Sequence, residues 1–581
     1  MSWLKKILQG LETKYKAASV ASPFSMIGEV VMETVLPLIM ARIIDVGIAN
    51  HDINYVCKLG LIMTGCSLLS LSFGVLGARL SAVGALGFSR NLRRKLFEKV
   101  QSFSFGNIDK FSTSSLVTRL TTDVTNAQNA YQMVIRGLVR APFMLISGTF
   151  MAIKLNAKLS LIFITVIPLL AVSLAFISIK AHPRFKAMLG QYDKMNSIVQ
   201  ENLTAIRVVK SFVRVPFEDK KFEDASAAVR DTQVKAERII ILNLPLMQFV
   251  VYGCIIAGLW FGGNFIVEGK MQTGELISFI TYITQILMSL MMLSMMLVML
   301  IISRASISRI VEVLDEESEI KNPAVPVKNV ADGSVEFKNV FFSYNHQKSN
   351  CVLENINLRL ESGKTYGIIG GTGSSKSTLV SLIARLYDTL EGSVTVGGVD
   401  VKDYDLEVLR DSVSMVLQKN VLFSGTIKEN LKWGNSNATD EEIRTACIAS
   451  DAHEFVESFP KGYDTDLGQG GVNLSGGQKQ RLCIARALLK KPKILVLDDS
   501  TSAVDTATDS RIRSALKNCL PQTTKLIIAQ RINSVQDADQ IIVLDNGKIS
   551  GTGTHAQLME NNSIYREVYE SQLAGSGQEA D

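Results

Sequence analysis

The sequence predicts two fold classes in one chain: a membrane-embedded bundle of α-helices, followed by an α/β domain. Three observations carry this. Long apolar runs are confined to residues 1–315, which hold 33 Lys+Arg against 20 Asp+Glu, whereas residues 316–581 hold 28 against 35. Over the whole chain 47% of residues are hydrophobic and 20% charged, a balance foreign to disordered chains and unusual for purely soluble ones. From Ser334 onward, short apolar runs alternate with helix-like segments, the pattern of layered α/β structure. The expected boundaries are a membrane region over 1–315, a linker over 316–333, an α/β domain over 334–573 and a flexible tail over 574–581.

A spanning helix needs about 20 mainly apolar residues. Six segments supply them: 20–48, 55–84, 131–154, 158–180, 239–267 and 274–303, with Glu29, Glu33 and Arg136 within or near the apolar runs. An even number of spans puts both termini on one side. The long gaps 85–130 and 181–238 carry Arg90, Arg93, Arg94, Lys95, Lys99, Lys186, Lys194, Arg207, Lys210, Lys220 and Lys221. Positively charged loops stay in the cytoplasm, so the termini, these loops and the α/β domain are expected there. Both gaps read as continuations of the helices, each with a punctuated tip near 105–116 and 201–212. Such tips suit contact with a soluble domain or serve as plain helix–helix turns.

Met288, Met291, Met292, Met295, Met296 and Met299 fall along one side of the last span at helical spacing. Thioether side chains adapt to varied apolar ligands, or simply fill gaps between helices. Glu29 and Glu33, one turn apart, either face a wet cavity and attract cations or are paired by a neighbouring span. The seven cysteines are scattered without metal-ligand spacing, which argues against a zinc site or a disulfide framework. The first ten residues place apolar positions at helical spacing among lysines, as in a helix lying on a membrane surface.

The chemistry is concentrated in the second half. Thr365-Tyr-Gly-Ile-Ile-Gly-Gly-Thr-Gly-Ser-Ser-Lys-Ser-Thr-Leu-Val380 reads as strand, glycine-rich loop and helix start. Backbone N–H groups of Gly370, Gly371, Thr372, Gly373, Ser374 and Ser375 would cradle phosphates at the N-terminus of the helix, with Thr378 in its first turn. Lys376 would reach the β/γ-phosphates and Ser377 would hold Mg²⁺. One position departs from G-x-x-x-x-G-K-[ST]: Ser375 stands where the pattern has its last glycine. Lys493-Ile-Leu-Val-Leu-Asp-Asp-Ser500 reads as a buried strand ending in two carboxylates. Asp498 would hold Mg²⁺ through water, and Asp499 would orient an attacking water. Between these motifs stands Leu474-Ser-Gly-Gly-Gln478, in which Ser475, Gly476, Gly477 and Gln478 open a helix and form a second anion site.

With that pentapeptide the chain resembles the ATP-binding cassette (ABC) family over nearly its whole length, in particular half-size exporters with one six-span domain and one cassette. The resemblance implies an ATP-driven exporter of amphiphilic or drug-like molecules in the cell membrane, working by alternating access with ATP and Mg²⁺. It assigns Tyr344 to stack on adenine and Gln418 to contact Mg²⁺ and couple to the membrane domain. Asp505, in Ser502-Ala-Val-Asp505, would cross to the opposite site, and the loop tips would be coupling helices. It also implies a second half-transporter as partner, with each ATP between one subunit's P-loop and the other's signature. A hydrophobic small molecule and membrane lipid are the other expected partners; the spans exclude a soluble chromosome-type ATPase, and no nucleic acid is expected.

Three further positions depart from the family. Asp499 stands where it has glutamate, which shortens the carboxylate's reach by about 1.5 Å. Gln530, in Ile528-Ala-Gln-Arg531, stands where it has histidine and cannot carry imidazolium charge. Gln469 replaces an acidic residue in Thr465-Asp-Leu-Gly-Gln469. Asp499, Gln530 and Ser375 weaken the chain's own P-loop site while the signature is intact, so the chain resembles the degenerate-site subunit of bacterial heterodimeric exporters. The alternatives are a homodimer with two slow sites, a regulatory subunit that binds ATP with little hydrolysis, and a peptide or lipid exporter.

Overall fold

A computed structural model describes residues 7–500 and 504–577. The chain divides into two compact units. One comprises Met1–Gln101 with Ser112–Glu316; the other comprises Ser102–Phe111 with Glu317–Asp581.

The first unit is all helical. Its long helices are α1 (Thr13–Arg42), α2 (Ile53–Gln101), α3 (Val124–Leu155), α4 (Leu161–Thr204), α5 (Val215–Ile240), α6 (Asn243–Val267) and α7 (Thr273–Asp315). Each apolar segment lies within or overlaps one of them. Among the described residues four stretches, Ile53–Gln101, Thr113–Leu155, Val215–Val267 and Thr273–Met296, are long and apolar enough to cross a membrane. At 1.5 Å per residue, the 49 residues of α2 and the 44 of α4 far exceed a bilayer's hydrocarbon core, so both run on beyond it.

Local chemistry fixes how α1 meets α7. Pro37, inside α1, has no N–H and disturbs the preceding turn. Two carbonyls beside it accept from α7: Tyr282 Oη donates to Thr34 O and Ser278 Oγ to Pro37 O, both at 2.5 Å. Asp45 in turn accepts from the backbone N–H groups of Gly274 and Glu275, capping α7, at 2.6 and 3.1 Å. Phe279, Tyr282, Ile283, Ile286 and Leu287 of α7 are completely buried in a cluster with Phe163, Met247 and Cys254. Lower in the same unit, Arg309 donates to the fully buried carboxylate of Asp123.

The expected N-terminal surface helix is described only from Ile7 onward. Residues 1–6 lie outside the described residues, but Ile7 and Leu11 are buried and Asn91 Nδ2 donates to Gln9 O. The tail beyond residue 577 also lies outside the described residues.

The second unit holds two main sheets. The first is antiparallel with order β2-β1-β4-β5, built from β1 (Val335–Phe342), β2 (Leu353–Leu360), β4 (Glu391–Val396) and β5 (Val399–Asp400). The second runs β12-β11-β3-β10-β9-β6. Its strands are β3 (Thr365–Ile369), β6 (Val413–Val416), β9 (Ile494–Asp498), β10 (Thr524–Ile528), β11 (Gln540–Asp545) and β12 (Lys548–Gly553), while β7 (Gly425–Thr426) and β8 (Asp466–Leu467) pair separately. All strands of this second sheet are parallel except edge strand β12. Near-continuous apolar sequence follows from burial on both faces: Leu495 and Leu497 enter one core cluster, Ile494 and Val496 the other.

The short helix Phe105–Phe111 belongs to this second unit although it lies between α2 and α3 in sequence. Asp109 accepts from Tyr387 Oη at 2.9 Å, and Asn107 donates to Glu317 O at 3.0 Å. The other tip forms the single-turn helix Ile206–Ser211 in the first unit.

Candidate functional site

Strand order gathers the motifs. β10 lies between β3 and β9 in one register, with Ile528 opposite both Ile368 and Asp498; Val416 of β6 pairs with Leu497. The residues that follow 369, 416, 498 and 528 therefore emerge together at the carboxyl edge of the sheet, where ligands of open α/β sheets bind. Gln418, Asp499 and Gln530 meet there. Asp499 Oδ2 accepts from Gln530 Nε2 at 2.9 Å and stands 3.5 Å from Gln418 Nε2.

The glycine-rich loop needs its glycines for two separate reasons. A Cβ on Gly370 would sit 2.2 Å from Leu544 O, and Gly373 has a φ of +85°. Ser375 holds the N-cap of α8 (Lys376–Ser381) at φ 71°, ψ 26°, in the left-handed region that its pattern reserves for glycine. Gly371 faces open space. Lys376 Nζ donates to Gly370 O and Gly371 O at 2.8 Å and to Ser374 Oγ at 3.2 Å, folded back over the loop. Thr378 Oγ1 shares a 2.9 Å hydrogen bond with the hydroxyl of Tyr344, whose half-exposed ring stands edge-on to Phe342 and Tyr387. Thr372, beside Gly371 and Gly373, is exposed.

Electrostatics at this edge follow from burial. Burial holds the Lys376 ammonium below its ordinary range, with Asp498 and Asp499 partly offsetting it. Burial also raises both carboxyls. For Asp498 a hydrogen bond with Ser377 opposes the rise; for Asp499 those from Gln418 and Gln530 do. Two buried carboxylates near one lysine therefore favour an added cation. Asp498 and Ser377, already in contact, are the oxygen donors that Mg²⁺ takes, and Gln418 offers a further amide oxygen nearby. The loop's backbone and Lys376 fit a nucleotide's phosphates.

The signature lies elsewhere in the chain. Ser475 caps α9 (Gly476–Leu489) through a reciprocal box: Gln478 N–H donates to Ser475 Oγ at 3.3 Å and Ser475 N–H to Gln478 Oε1 at 2.9 Å. Among the described residues no hydrogen bond joins Leu474, Ser475, Gly476, Gly477 or Gln478 to the P-loop of the same chain. Asp505 caps α10 (Thr506–Cys519), accepting from Thr508 N–H at 2.9 Å, and that bond keeps its carboxyl below the usual range. Thr501, Ser502 and Ala503 lie outside the described residues. Gln469 opens the turn Gln469–Gly471 before the signature.

In the helical unit, the two readings of Glu29 and Glu33 resolve toward pairing. Arg140 Nη2 donates to both oxygens of Glu33 at 2.9 Å and lies 3.6 Å from Glu29. The sequence named no residue as that partner; only packing selects Arg140. The methionines also divide. Met296 is buried against Gly137 and Met291 packs against the Phe279–Leu287 cluster, while Met288 and Met292 line a cavity.

Comparisons with known proteins agree with this architecture. Residues 20–312 match the ABC transporter transmembrane region and residues 353–502 the ABC transporter domain. The chain belongs to the ABC transporter family. It is 38% identical over 574 residues to the uncharacterized ABC transporter ATP-binding protein YfiB of Bacillus subtilis, covering 97% of this chain and 100% of that one. It is 32% identical over 489 residues to the ATP-dependent lipid A-core flippase of Desulfotalea psychrophila, covering 83% and 84%. The fold matches the solved structure of a bacterial Atm1-family ABC exporter with ATP bound, at a TM-score of 0.84 and 24% identity, over 96% and 98% of the two chains. The chain is thus a multi-pass membrane protein, an ABC exporter half-transporter whose cassette binds ATP to drive transport.

Proposed function

We propose that this chain is the degenerate-site subunit of a heterodimeric exporter that moves amphiphilic, drug-like molecules out of the cell. It has six spans, with the cassette and both termini in the cytoplasm. The observation that carries the reading is the pinned, short Asp499, combined with a signature helix elsewhere in the chain whose cap is intact. Gln530 and Gln418 tether the Asp499 carboxylate. A side chain one methylene short of glutamate falls about 1.5 Å short of an attacking water, enough to cost on the order of a hundredfold in rate.

In this reading the P-loop amides and Lys376 hold the phosphates, and Lys376 leaves Gly370 O and Gly371 O to do so. Tyr344 offers its ring to adenine. Asp498, Ser377 and Gln418 hold Mg²⁺, which when bound would neutralise phosphate charge. Ser475 and the N–H groups of Gly476 and Gly477 close over the ATP of a partner subunit, whose own glutamate and histidine complete the faster site. ATP binding closes the cassettes and product release reopens them.

The Mg²⁺-ATPase rate of this chain, alone and then co-purified with a second half-transporter encoded beside it, tests the proposal. Near silence alone and turnover in the pair supports it. Brisk turnover by the lone chain refutes the degenerate-site reading and supports a homodimer.

A further inference from the structure

The last helix of the cassette's unit, α11 (Ser563–Gly577), reaches back to the nucleotide site. It is anchored by the fully buried Tyr565, whose hydroxyl shares a 2.7 Å hydrogen bond with His555 Nδ1. Ile564, Val568 and Tyr569 pack on the core cluster that also holds Ile532 and Val535. Residues 564, 568 and 572 recur every four positions, so Gln572 lies on the same inward face, one turn beyond Val568. A glutamine on such a face needs partners for its amide.

Both partners are backbone groups of one short segment. Gln572 Nε2 donates to Gln530 O at 2.8 Å, and Gln572 Oε1 accepts from Ile532 N–H at 2.9 Å. β10 ends at Ile528, and Ala529 N–H still bonds Ile368 O of β3 at 3.3 Å. Beyond Ala529 the chain leaves the sheet, and one side-chain amide supplies the donor and the acceptor that a strand would have offered. Gln530 is exposed, so its position depends on its backbone rather than on packing. From there its Nε2 reaches Asp499 Oδ2 at 2.9 Å, at the edge where Lys376 stands. That nitrogen carries two N–H groups: one can stay on Asp499 while the other faces a phosphate.

We propose that Gln572 is a positioning residue of the nucleotide site: by gripping the backbone on both sides of Arg531, it holds the Gln530 amide at the terminal phosphate of a bound nucleoside triphosphate. A loosened segment would let that amide drift by the ~1 Å that a positioned group does not tolerate. The inference rests on ATP binding by the cassette, not on how fast this chain hydrolyses ATP.

The test uses the full chain in phosphatidylcholine nanodiscs with Mg²⁺ and two fluorescent nucleotides, mant-AMP-PNP and mant-ADP, whose affinities need no turnover. Gln572→Met keeps the length and loses the amide. It should weaken the triphosphate analogue about fivefold and change mant-ADP affinity by less than about twofold. Gln530→Ala should do the same, and the double variant should lose no more than either alone, because both act on one contact. Gln572→Glu keeps the acceptor for Ile532 N–H without the donor to Gln530 O; it should also lose the preference, and it is the variant read if methionine unfolds the cassette. Equal weakening of both nucleotides, or a lower melting temperature with the preference kept, makes Gln572 a structural contact only and overturns the proposal. Additive losses in the double variant overturn it as well, since Gln572 then acts other than through Gln530. A parent chain with no preference for the triphosphate sinks it too, because Gln530 then holds no terminal phosphate.

Discussion

Asp499→Glu should raise the chain's hydrolytic rate and lower its stability at once. The residue sits at φ 47°, in the left-handed region, where aspartate is several-fold enriched among non-glycine residues and longer side chains are not. Glutamate there should cost up to about 1–2 kcal/mol of folding stability, the penalty of a left-handed L-residue without local compensation. The added methylene advances the carboxylate about 1.5 Å beyond the point where Gln530 holds it at 2.9 Å. If misplacement is what slows the site, restoring that reach returns on the order of a hundredfold in kcat. The assay pairs steady-state Mg²⁺-ATPase of the purified chain in lipid with thermal melting of the nucleotide-free protein. A variant that melts lower but turns over no faster refutes the argument that reach limits the site. A variant that is faster and equally stable refutes the argument from backbone strain alone.

Other perturbations read different parts of the structure. Ser375→Gly relieves a left-handed serine worth about 1–2 kcal/mol but adds about 0.5–1 kcal/mol of unfolded-chain entropy, so the melting temperature should rise slightly. Asp498→Asn should stabilise the nucleotide-free cassette at neutral pH and abolish the Mg²⁺-dependent stabilisation by ATP, as read by melting. The sign follows from its raised carboxyl: the folded state holds its proton more tightly, so the parent loses stability as pH rises from the ordinary carboxylate range, about 4, through the raised value. The asparagine variant should lack that component of the slope. Asp123→Ala removes the buried partner of Arg309; because Arg309 is about half exposed and stays solvated, the loss should lie at about 1–2 kcal/mol, between an exposed pair and a broken buried one, and appear as a lower melting temperature.

Much of this molecule is written in linear pattern. Apolar runs of about 20 residues have few physical solutions, so the long helices and their positions follow from hydropathy; α2 continues through 85–100, which holds no proline, while α4 runs on through Pro183. The glycine-rich loop, the paired carboxylates after β9 and the Leu474–Gln478 pentapeptide are equally local. Each depends on residue types at fixed spacing, and together they carry the family.

Tertiary structure decided what spacing could not. That Gln530 and Gln418 both reach Asp499 follows from strand order, because β10 lies between β3 and β9 and β6 lies beyond. No linear pattern specifies strand order. The pairing of Arg140 with Glu33, the fate of each methionine on α7, and the membership of Phe105–Phe111 in the cassette's unit arise the same way. A helical period says which residues share a face, but only the neighbour that packs there says whether the face is buried, paired or left open to a ligand.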